Sequence, residues 1–243
     1  MTVKLTIEYD GTSYCGWQIQ PNGITVQEEL EKALEKLTGK KVKVVGSGRT
    51  DAGVHASGQV ASFVTDFTMP AERFAYALNT LLPQDIRVVK SQEEKDGFSA
   101  RFSAKKKTYS YTYYESEFIR PLLDRYAERV NGILDEKAMQ LAGEYLVGKH
   151  DFKCFLASNS QVKDTVREIY DFKVVRKGEK ITFFITGNGF LYNMVRIIAG
   201  TLLEVGQGKI PPQKMQEILL SQKRNSAGKT LSAKGLTLIS VEY

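Results

Sequence analysis

Residues 41–67 read KVKVVGSGRTDAGVHASGQVASFVTDF, in which two alternating segments flank a loop rich in glycine. The segments 41–49 and 58–67 alternate polar and apolar side chains, a pattern typical of strands with one buried face. The loop between them carries the carboxylate of Asp51. The pattern therefore predicts that Asp51 lies at the end of a sheet. Taken alone, an aspartate in such a loop is either a turn-former or a group with a chemical role.

Strands and helices alternate outward from this stretch on both sides. The further predicted strands are 3–12, 85–92, 168–189 as a hairpin, and 235–243. The predicted helices are 25–40, 70–83, 138–148, 190–206 and 211–222. Thr25 and Glu28 form a capping box at the start of the first helix, and Gly39 ends it. In the second helix the residues that face inward are Phe74, Ala77, Leu78 and Leu81. Since several strands have one polar face, we expect a mixed, largely antiparallel sheet with helices packed on it, an α+β fold.

The composition of the sequence changes in residues 98–117, FSARFSAKKKTYSYTYYESE, which are rich in lysine and tyrosine. We place a domain boundary there, giving domains 1–104 and 105–243. The segment contains four cations, Arg101 and Lys105 to Lys107, and then tyrosines 109, 111 and 113, which a strand projects onto one face. Two interpretations stay open at this point: a buried aromatic face behind a lysine-rich turn, or cations and rings that bind RNA.

The charge balance alone fits an ordinary solvated surface as well as an anionic partner, and it is the clustering of cations that favours an anionic partner such as nucleic acid. Lys plus Arg number 34 against 28 Asp plus Glu, a net charge of +6. The N-terminal residues lack the apolar core of a signal peptide, and the apolar run 190–205 is too short to cross a bilayer. We therefore expect a cytoplasmic protein with no membrane partner.

Arg196 is a cation in an otherwise apolar helix, so it needs a carboxylate partner. One interpretation is a structural ion pair. The other is an active-site carboxylate whose pKa Arg196 lowers, with Asp51 as a candidate.

Metal and nucleotide motifs are absent from the sequence. Its cysteines and histidines are Cys15, Cys154, His55 and His150, and no pair of them has metal-ligand spacing. The segment AGKT, residues 227–230, resembles the end of a P-loop, but Lys223 stands where that motif requires glycine. A dinucleotide fingerprint starting at residue 46 would require glycine in place of Asp51. We expect neither a metal nor a nucleotide cofactor.

The segment 46–63, GSGRTDAGVHASGQVASF, closely resembles the active-site loop of the tRNA pseudouridine synthase A family. Four more segments are similar to motifs of that family in the same order: 9–34, 100–111, 148–152 and 187–206. Two departures stand out. Leu231 and Ser232 occupy positions where the family usually has Ala-Pro, and the run from Lys105 to Lys107 uses lysine where arginine is common.

The resemblance implies an isomerase that converts uridine to pseudouridine at positions 38–40 of the tRNA anticodon stem-loop, without a cofactor. It also implies a homodimer, and two α+β domains whose sheets join into one, with helices outside and the active-site cleft between the domains. Two alternatives remain: a pseudouridine synthase for other RNA positions, and a non-catalytic tRNA-binding factor of the same fold.

The same resemblance assigns roles to four residues. Asp51 corresponds to the essential aspartate, which can act as nucleophile or base. Tyr109 corresponds to the tyrosine that packs on the target uracil, and Arg196 to the arginine that pairs with the catalytic aspartate. Arg49 corresponds to the arginine that holds the target base out of its stack. We interpret His55 as structural, holding the loop by a ring hydrogen bond.

Overall fold

The computed structural model describes residues 1–158 and 162–243. Its strands are β1 (Thr2–Tyr9), β2 (Val45–Gly46), β3 (His55–Val64), β4 (Ile86–Glu94), β5 (Lys106–Glu115), β6 (Glu128–Val130), β7 (Gly148–Asp151), β8 (Val166–Lys177), β9 (Lys180–Gly187) and β10 (Leu236–Glu242). Its α-helices are α1 (Val26–Thr38), α2 (Phe74–Asn79), α3 (Pro121–Asp124), α4 (Glu136–Glu144), α5 (Met194–Gly206) and α6 (Lys214–Ser221). The chain forms two units, Met1–Lys105 with Thr237–Tyr243, and Lys106–Leu236.

The first unit contains the strands in the order β4-β1-β3-β10, with β2 beside β3. β1 is antiparallel to both of its neighbours, and β10 is parallel to β3, with Thr237 opposite His55. Val3, Leu5 and Ile7 alternate along β1 and are fully buried. Burial of that apolar face fixes the strand register, because a slip by one residue would expose the apolar side chains to solvent.

The second unit contains the order β5-β9-β8-β7, all antiparallel, and β6 runs parallel to β5. Helix α5 packs against β5, where the hydroxyl of Tyr113 donates to the Ala199 carbonyl at 2.7 Å. Helix α4 lies so close to β8 that a Cβ at Gly143 would clash with the ring of Phe172. The expected mixed, largely antiparallel sheet structure with packed helices, an α+β fold, is confirmed.

Helix α1 begins and ends at the predicted signals. The Thr25 hydroxyl accepts the Glu28 N–H, and Gly39 adopts a left-handed φ of 71° directly after the helix. These local signals fix both ends of the helix because each satisfies backbone groups that the helix itself leaves unpaired.

Strand β2 is shorter than the predicted 41–49. The Val44 N–H donates to the Glu31 carboxylate at 3.0 Å, and the Val44 carbonyl accepts from the Gln27 side chain at 3.1 Å. Side chains of α1 thus form the hydrogen bonds to the Val44 backbone that a neighbouring strand would form if β2 were longer. The ladder with β3 pairs Val45 with Ser62 and Gly46 with Ala61.

The predicted inward position of Leu81 is wrong. Helix α2 ends at Asn79, and the N–H groups of both Leu81 and Leu82 donate to the Leu78 carbonyl at 2.9 Å. This tightening breaks the helical period, so Leu82 is buried while Leu81 is 39% exposed. Phe74 and Leu78 are buried as predicted.

The last strand lies in a different unit from the one that the domain range 105–243 implies. Residues Thr237–Tyr243 belong to the first unit, because β10 pairs with β3. The parallel partner of a strand can be far away in sequence, and no local pattern indicates it.

Within residues 1–158 and 162–243, no helix has the length and apolar character needed to cross a membrane.

Candidate active site

Asp51 lies in a tight turn at the start of β3. Its carbonyl accepts the Val54 N–H at 3.1 Å, and Gly53 has a φ of 79°, which favours glycine. The Gly53 N–H also donates to the Tyr14 carbonyl at 3.3 Å. Asp51 is half-buried, so the residue packs against the protein and is also partly accessible to solvent.

The residue before Asp51 is anchored on two sides. The Thr50 side chain is buried and shares a 2.7 Å hydrogen bond with the phenol of Tyr9, and the Thr50 carbonyl accepts the Trp17 N–H at 3.0 Å. Burial raises the pKa of Tyr9 to about 12, while the Thr50 and Gln59 side chains act in the opposite direction. The phenol therefore stays protonated through the neutral range. The backbone leading into Asp51 is thus fixed from β1.

The start of the loop, at Ser47 and Gly48, is held by Gln59, whose side chain is buried. Its amide oxygen accepts from the Ser47 hydroxyl at 2.6 Å, and its amide nitrogen donates to the Gly48 carbonyl at 3.1 Å. A Cβ at Gly46 would lie 2.4 Å from the Trp17 indole nitrogen. Glycine at position 46 is therefore needed for packing inside the protein.

His55 and Arg49 differ in exposure. His55 is buried, and its Nδ1 accepts the Gly11 N–H at 3.1 Å, the structural role that we predicted. The Arg49 side chain is exposed, two residues before Asp51.

Three tyrosines of β5 are buried, and Tyr109 keeps a small exposed fraction. Tyr111 and Tyr113 are fully buried, and their hydroxyls donate to the carbonyls of Ser232 at 3.0 Å and Ala199 at 2.7 Å. Burial raises the pKa of both phenols well above the usual value. For these two residues the interpretation as a buried aromatic face is correct. Tyr109 is 8% exposed, and its ring meets the Phe190 ring edge-on at a centroid distance of 5.1 Å.

The lysine run leads into this strand: Lys105 precedes it, and Lys106 and Lys107 are its first two residues. Lys105 and Lys106 are exposed, and the Lys106 ammonium lies 5.7 Å from the centroid of the Tyr170 ring. A cation beside an aromatic face is an arrangement that single-stranded nucleic acids can use.

Arg196 is half-buried on α5 and is fixed by two acceptors. Its Nε donates to the Leu231 carbonyl and its Nη1 to the Asn193 side-chain oxygen, both at 2.8 Å. The Leu231 N–H in turn donates to the Arg196 carbonyl at 3.2 Å. Both bonds to Leu231 use backbone atoms, so the departure from the family pattern at positions 231 and 232 leaves the Arg196 acceptor in place.

Within residues 1–158 and 162–243, His, Cys, Asp and Glu form no group of three that could hold a metal ion. Cys154 is buried, and its burial raises the pKa of the thiol to about 12. That thiol is therefore protonated at neutral pH and a poor nucleophile.

The predicted site residues are distributed over both units. Asp51 and Arg49 lie in the first unit, and Tyr109 and Arg196 in the second. The pairing of Asp51 with Arg196 stays a prediction.

Sequence reasoning missed three supporting side chains: Tyr9, Gln59 and Asn193. Tyr9 and Gln59 were visible only as members of strands. Asn193 directly precedes a helix, and asparagine there would ordinarily be interpreted as a cap.

This chain is similar to known proteins of one family along most of its length. A family described as tRNA pseudouridine synthase matches residues 5–103 and 142–243. The chain is 50% identical over 241 residues to tRNA pseudouridine synthase A of Acetivibrio thermocellus, and 48% identical over 241 residues to that of Caldicellulosiruptor bescii. Each alignment covers 99% of both proteins. Among solved structures, a chain of a Cbf5–Nop10–Gar1 complex is similar at 13% identity and a TM-score of 0.39, covering 98% of this chain and 49% of that one, a likeness too low to support a conclusion.

Proposed function

The chain belongs to the tRNA pseudouridine synthase family, and from this premise we propose that it isomerises uridine to pseudouridine at positions 38–40 of the tRNA anticodon stem-loop. The observation that carries the proposal is the match along almost the whole chain, at 50% identity, to a protein named for this activity. The half-buried Asp51 supports it as a rigid site for one carboxylate, since the backbone before it is anchored at Gly48 and Thr50 and the Gly53 N–H after it donates to the Tyr14 carbonyl.

The reaction requires little besides positioned side chains. The bond between uracil N1 and the ribose breaks, the base rotates, and C5 joins the ribose. The proton on C5 is lost and N1 gains one, so atoms balance without a cofactor. Asp51 is the proposed catalytic residue, as a nucleophile at the sugar or base or as a base at the ribose.

The other three residues are proposed to bind the substrate. Tyr109 packs on the target uracil, and Arg196 pairs with the Asp51 carboxylate. Arg49, being exposed, occupies the gap that the extruded uridine leaves. Extrusion costs a few kcal/mol, so a side chain that fills the gap lowers the cost.

The proposed partner is tRNA, bound by a homodimer in the cytoplasm. The net charge of +6 supports an anionic partner. Neutralisation of phosphates by lysine and arginine makes such binding weaken steeply with salt.

The deciding experiment uses unmodified tRNA transcript with EDTA present and no nucleotide, and maps pseudouridine by chemical modification and primer extension. Wild-type protein should form product at positions 38–40. Asp51→Ala should bind tRNA normally and form none. Asp96→Ala, which removes an exposed aspartate elsewhere in the first unit, is the matched control and should act like wild type.

Each alternative outcome has its own meaning. Turnover by Asp51→Ala would exclude Asp51 as the essential group. Product at other positions would keep the reaction and overturn the target. Binding by the wild type without product would favour a non-catalytic tRNA-binding factor.

A further inference from the structure

Asn193 has a backbone conformation that few residue types accept. Its φ is 59° and its ψ is 8°, in the left-handed region. Among the residues the structure describes, Gln222, with φ of 54°, is the other one besides glycines with positive φ. Asparagine tolerates this region better than most side chains, but the conformation still costs free energy relative to the usual ones.

The side chain of Asn193 does not do what asparagine usually does before a helix. It directly precedes α5, and its carbonyl accepts the Ile197 N–H at 3.0 Å. A capping side chain bonds to N–H groups of the first turn from an extended backbone. Asn193 makes no such bond. Its side-chain oxygen instead accepts from Nη1 of Arg196 at 2.8 Å.

That bond completes the fixation of Arg196. A guanidinium is planar with five N–H donors, so acceptors at two of its nitrogens define the orientation of the whole plane. The second acceptor is the Leu231 carbonyl, 2.8 Å from Nε. Removal of the Asn193 side chain takes away the acceptor at Nη1 and leaves the bond from Nε to the Leu231 carbonyl in place.

We propose that Asn193 is a positioning residue for the isomerisation: it orients the Arg196 guanidinium, at the expense of a helix cap and an ordinary backbone conformation. This inference rests on the proposed function, in which Arg196 pairs with the catalytic carboxylate. Locally unfavourable choices that bring no gain in stability are typical of functional sites.

The test compares Asn193→Gly with Asn193→Asp. Glycine accepts the left-handed conformation but supplies no oxygen, whereas aspartate tolerates the conformation and keeps an acceptor. Gln222→Gly is the matched control, because it replaces the other left-handed residue at an exposed position after α6.

Single-turnover rates and tRNA affinities should separate positioning from stability. For Asn193→Gly we expect the rate constant to fall roughly 10- to 100-fold, as misplacement of a reacting group does. The Kd for tRNA should stay within about threefold, since Asn193 acts on Arg196 orientation and not on phosphate contacts. The thermal midpoint should stay within about 2 °C, because glycine relieves the left-handed strain while adding unfolded-state entropy. Asn193→Asp should retain clearly more activity than Asn193→Gly, and Gln222→Gly should match wild type.

A second readout does not depend on activity. The Arg196 Nη1 protons should give separate, slowly exchanging NMR resonances in the wild type and in Asn193→Asp, and should lose that character in Asn193→Gly, because Nη1 is the nitrogen that donates to the Asn193 oxygen. An unchanged resonance in Asn193→Gly would overturn the inference. So would wild-type turnover in that variant, equal losses in both Asn193 variants, or a rate loss that merely follows a lowered melting point. If the wild type forms no pseudouridine, the proposed function fails, and the resonance alone decides whether Asn193 positions Arg196.

Discussion

Tyr9 and Thr50 share one hydrogen bond beneath the Asp51 loop, although they are distant in sequence. Both side chains are buried, so loss of one partner leaves the other without water to replace it. The net contribution of such a buried hydrogen bond to stability is small, but removal of one partner costs more, because the other partner loses its hydrogen bond inside the protein. The loop conformation therefore depends on a phenol that no property of the loop sequence indicates.

We expect Tyr9→Phe and Thr50→Val each to lower the free energy of unfolding by about 1–2 kcal/mol, because each removes one partner of a buried hydrogen bond. The double variant should lose clearly less than the sum, since the two changes remove one shared bond. Urea denaturation of all three variants measures this coupling.

Tyr243→Phe is the control, since it removes a phenol hydrogen bond to the Ala100 carbonyl in the same unit. Combined with Thr50→Val, its effect should be additive. Additive losses from Tyr9→Phe and Thr50→Val would mean that the bond does not form in solution.

At the residue scale, the sequence identified the side chains with a chemical role better than those that support them. Asp51, Arg49, Tyr109 and Arg196 were candidates because a motif, or a charge in an apolar helix, marked them. Tyr9 and Asn193 escaped notice, because a buried phenol and a left-handed asparagine become visible only through partners that folding brings close.

At the scale of elements, α5 shows packing that overrides intrinsic propensity. The helix contains Gly200, and a Cβ there would lie 1.8 Å from the Lys229 carbonyl. The neighbouring Gly228 N–H donates to the Thr201 hydroxyl at 2.9 Å. The segment AGKT, which resembles part of a P-loop, thus serves as a close-packed partner of α5 and leads directly to Leu231.

We expect Gly200→Ala to lower the free energy of unfolding by about 1–3 kcal/mol, the usual cost of overpacking. Helix propensity alone would predict a gain of about 1 kcal/mol, so the sign of the change identifies the stronger effect. Chemical denaturation measures it.

Gly189→Ala is the matched control, because its Cβ would meet Arg167 at 3.7 Å, an ordinary contact. Its stability should change by no more than about 0.5 kcal/mol. A stabilised Gly200→Ala would mean that the segment around Lys229 moves away at little cost.

Element boundaries were predictable where a local signal ends an element. Thr25 and Gly39 mark α1, and the structure follows them. The predicted helix 190–206 starts too early, since Asn193 is left-handed and α5 begins at Met194. The residues before Asn193 are apolar and continue the pattern of the helix, so the sequence does not indicate the later start.

At the scale of the whole molecule, the two units are not two successive pieces of chain. β10 follows the second unit in sequence but is parallel to β3 in the first. Composition and periodicity predicted the α+β class, since they reflect burial. They did not predict this return, because strand pairing over long sequence separations has no local signal.

We expect Leu238→Ala, in β10, to lower the stability of the first unit by about 2–5 kcal/mol, the usual cost of truncating a buried leucine. Leu238 is 1% exposed and lies opposite Ala56. Trp17, the only tryptophan, is buried in the first unit, so its fluorescence reports on unfolding there.

Leu220→Ala, at a leucine that is 78% exposed, is the control and should leave the Trp17 transition unchanged. An unshifted transition in Leu238→Ala would show that β10 contributes nothing to the unit that holds the Asp51 loop.

The position of β10 also sets the order of events on the ribosome. β3 and the Asp51 loop emerge early, yet the strand that pairs with His55 and Ala56 is translated only after all of residues 106–236. Throughout that interval this stretch of β3 lacks its native parallel neighbour, and an unpaired edge is a template for wrong pairing with other nascent chains. A chain released before residue 236 would carry the complete Asp51 motif without the strand that pairs with His55 and Ala56.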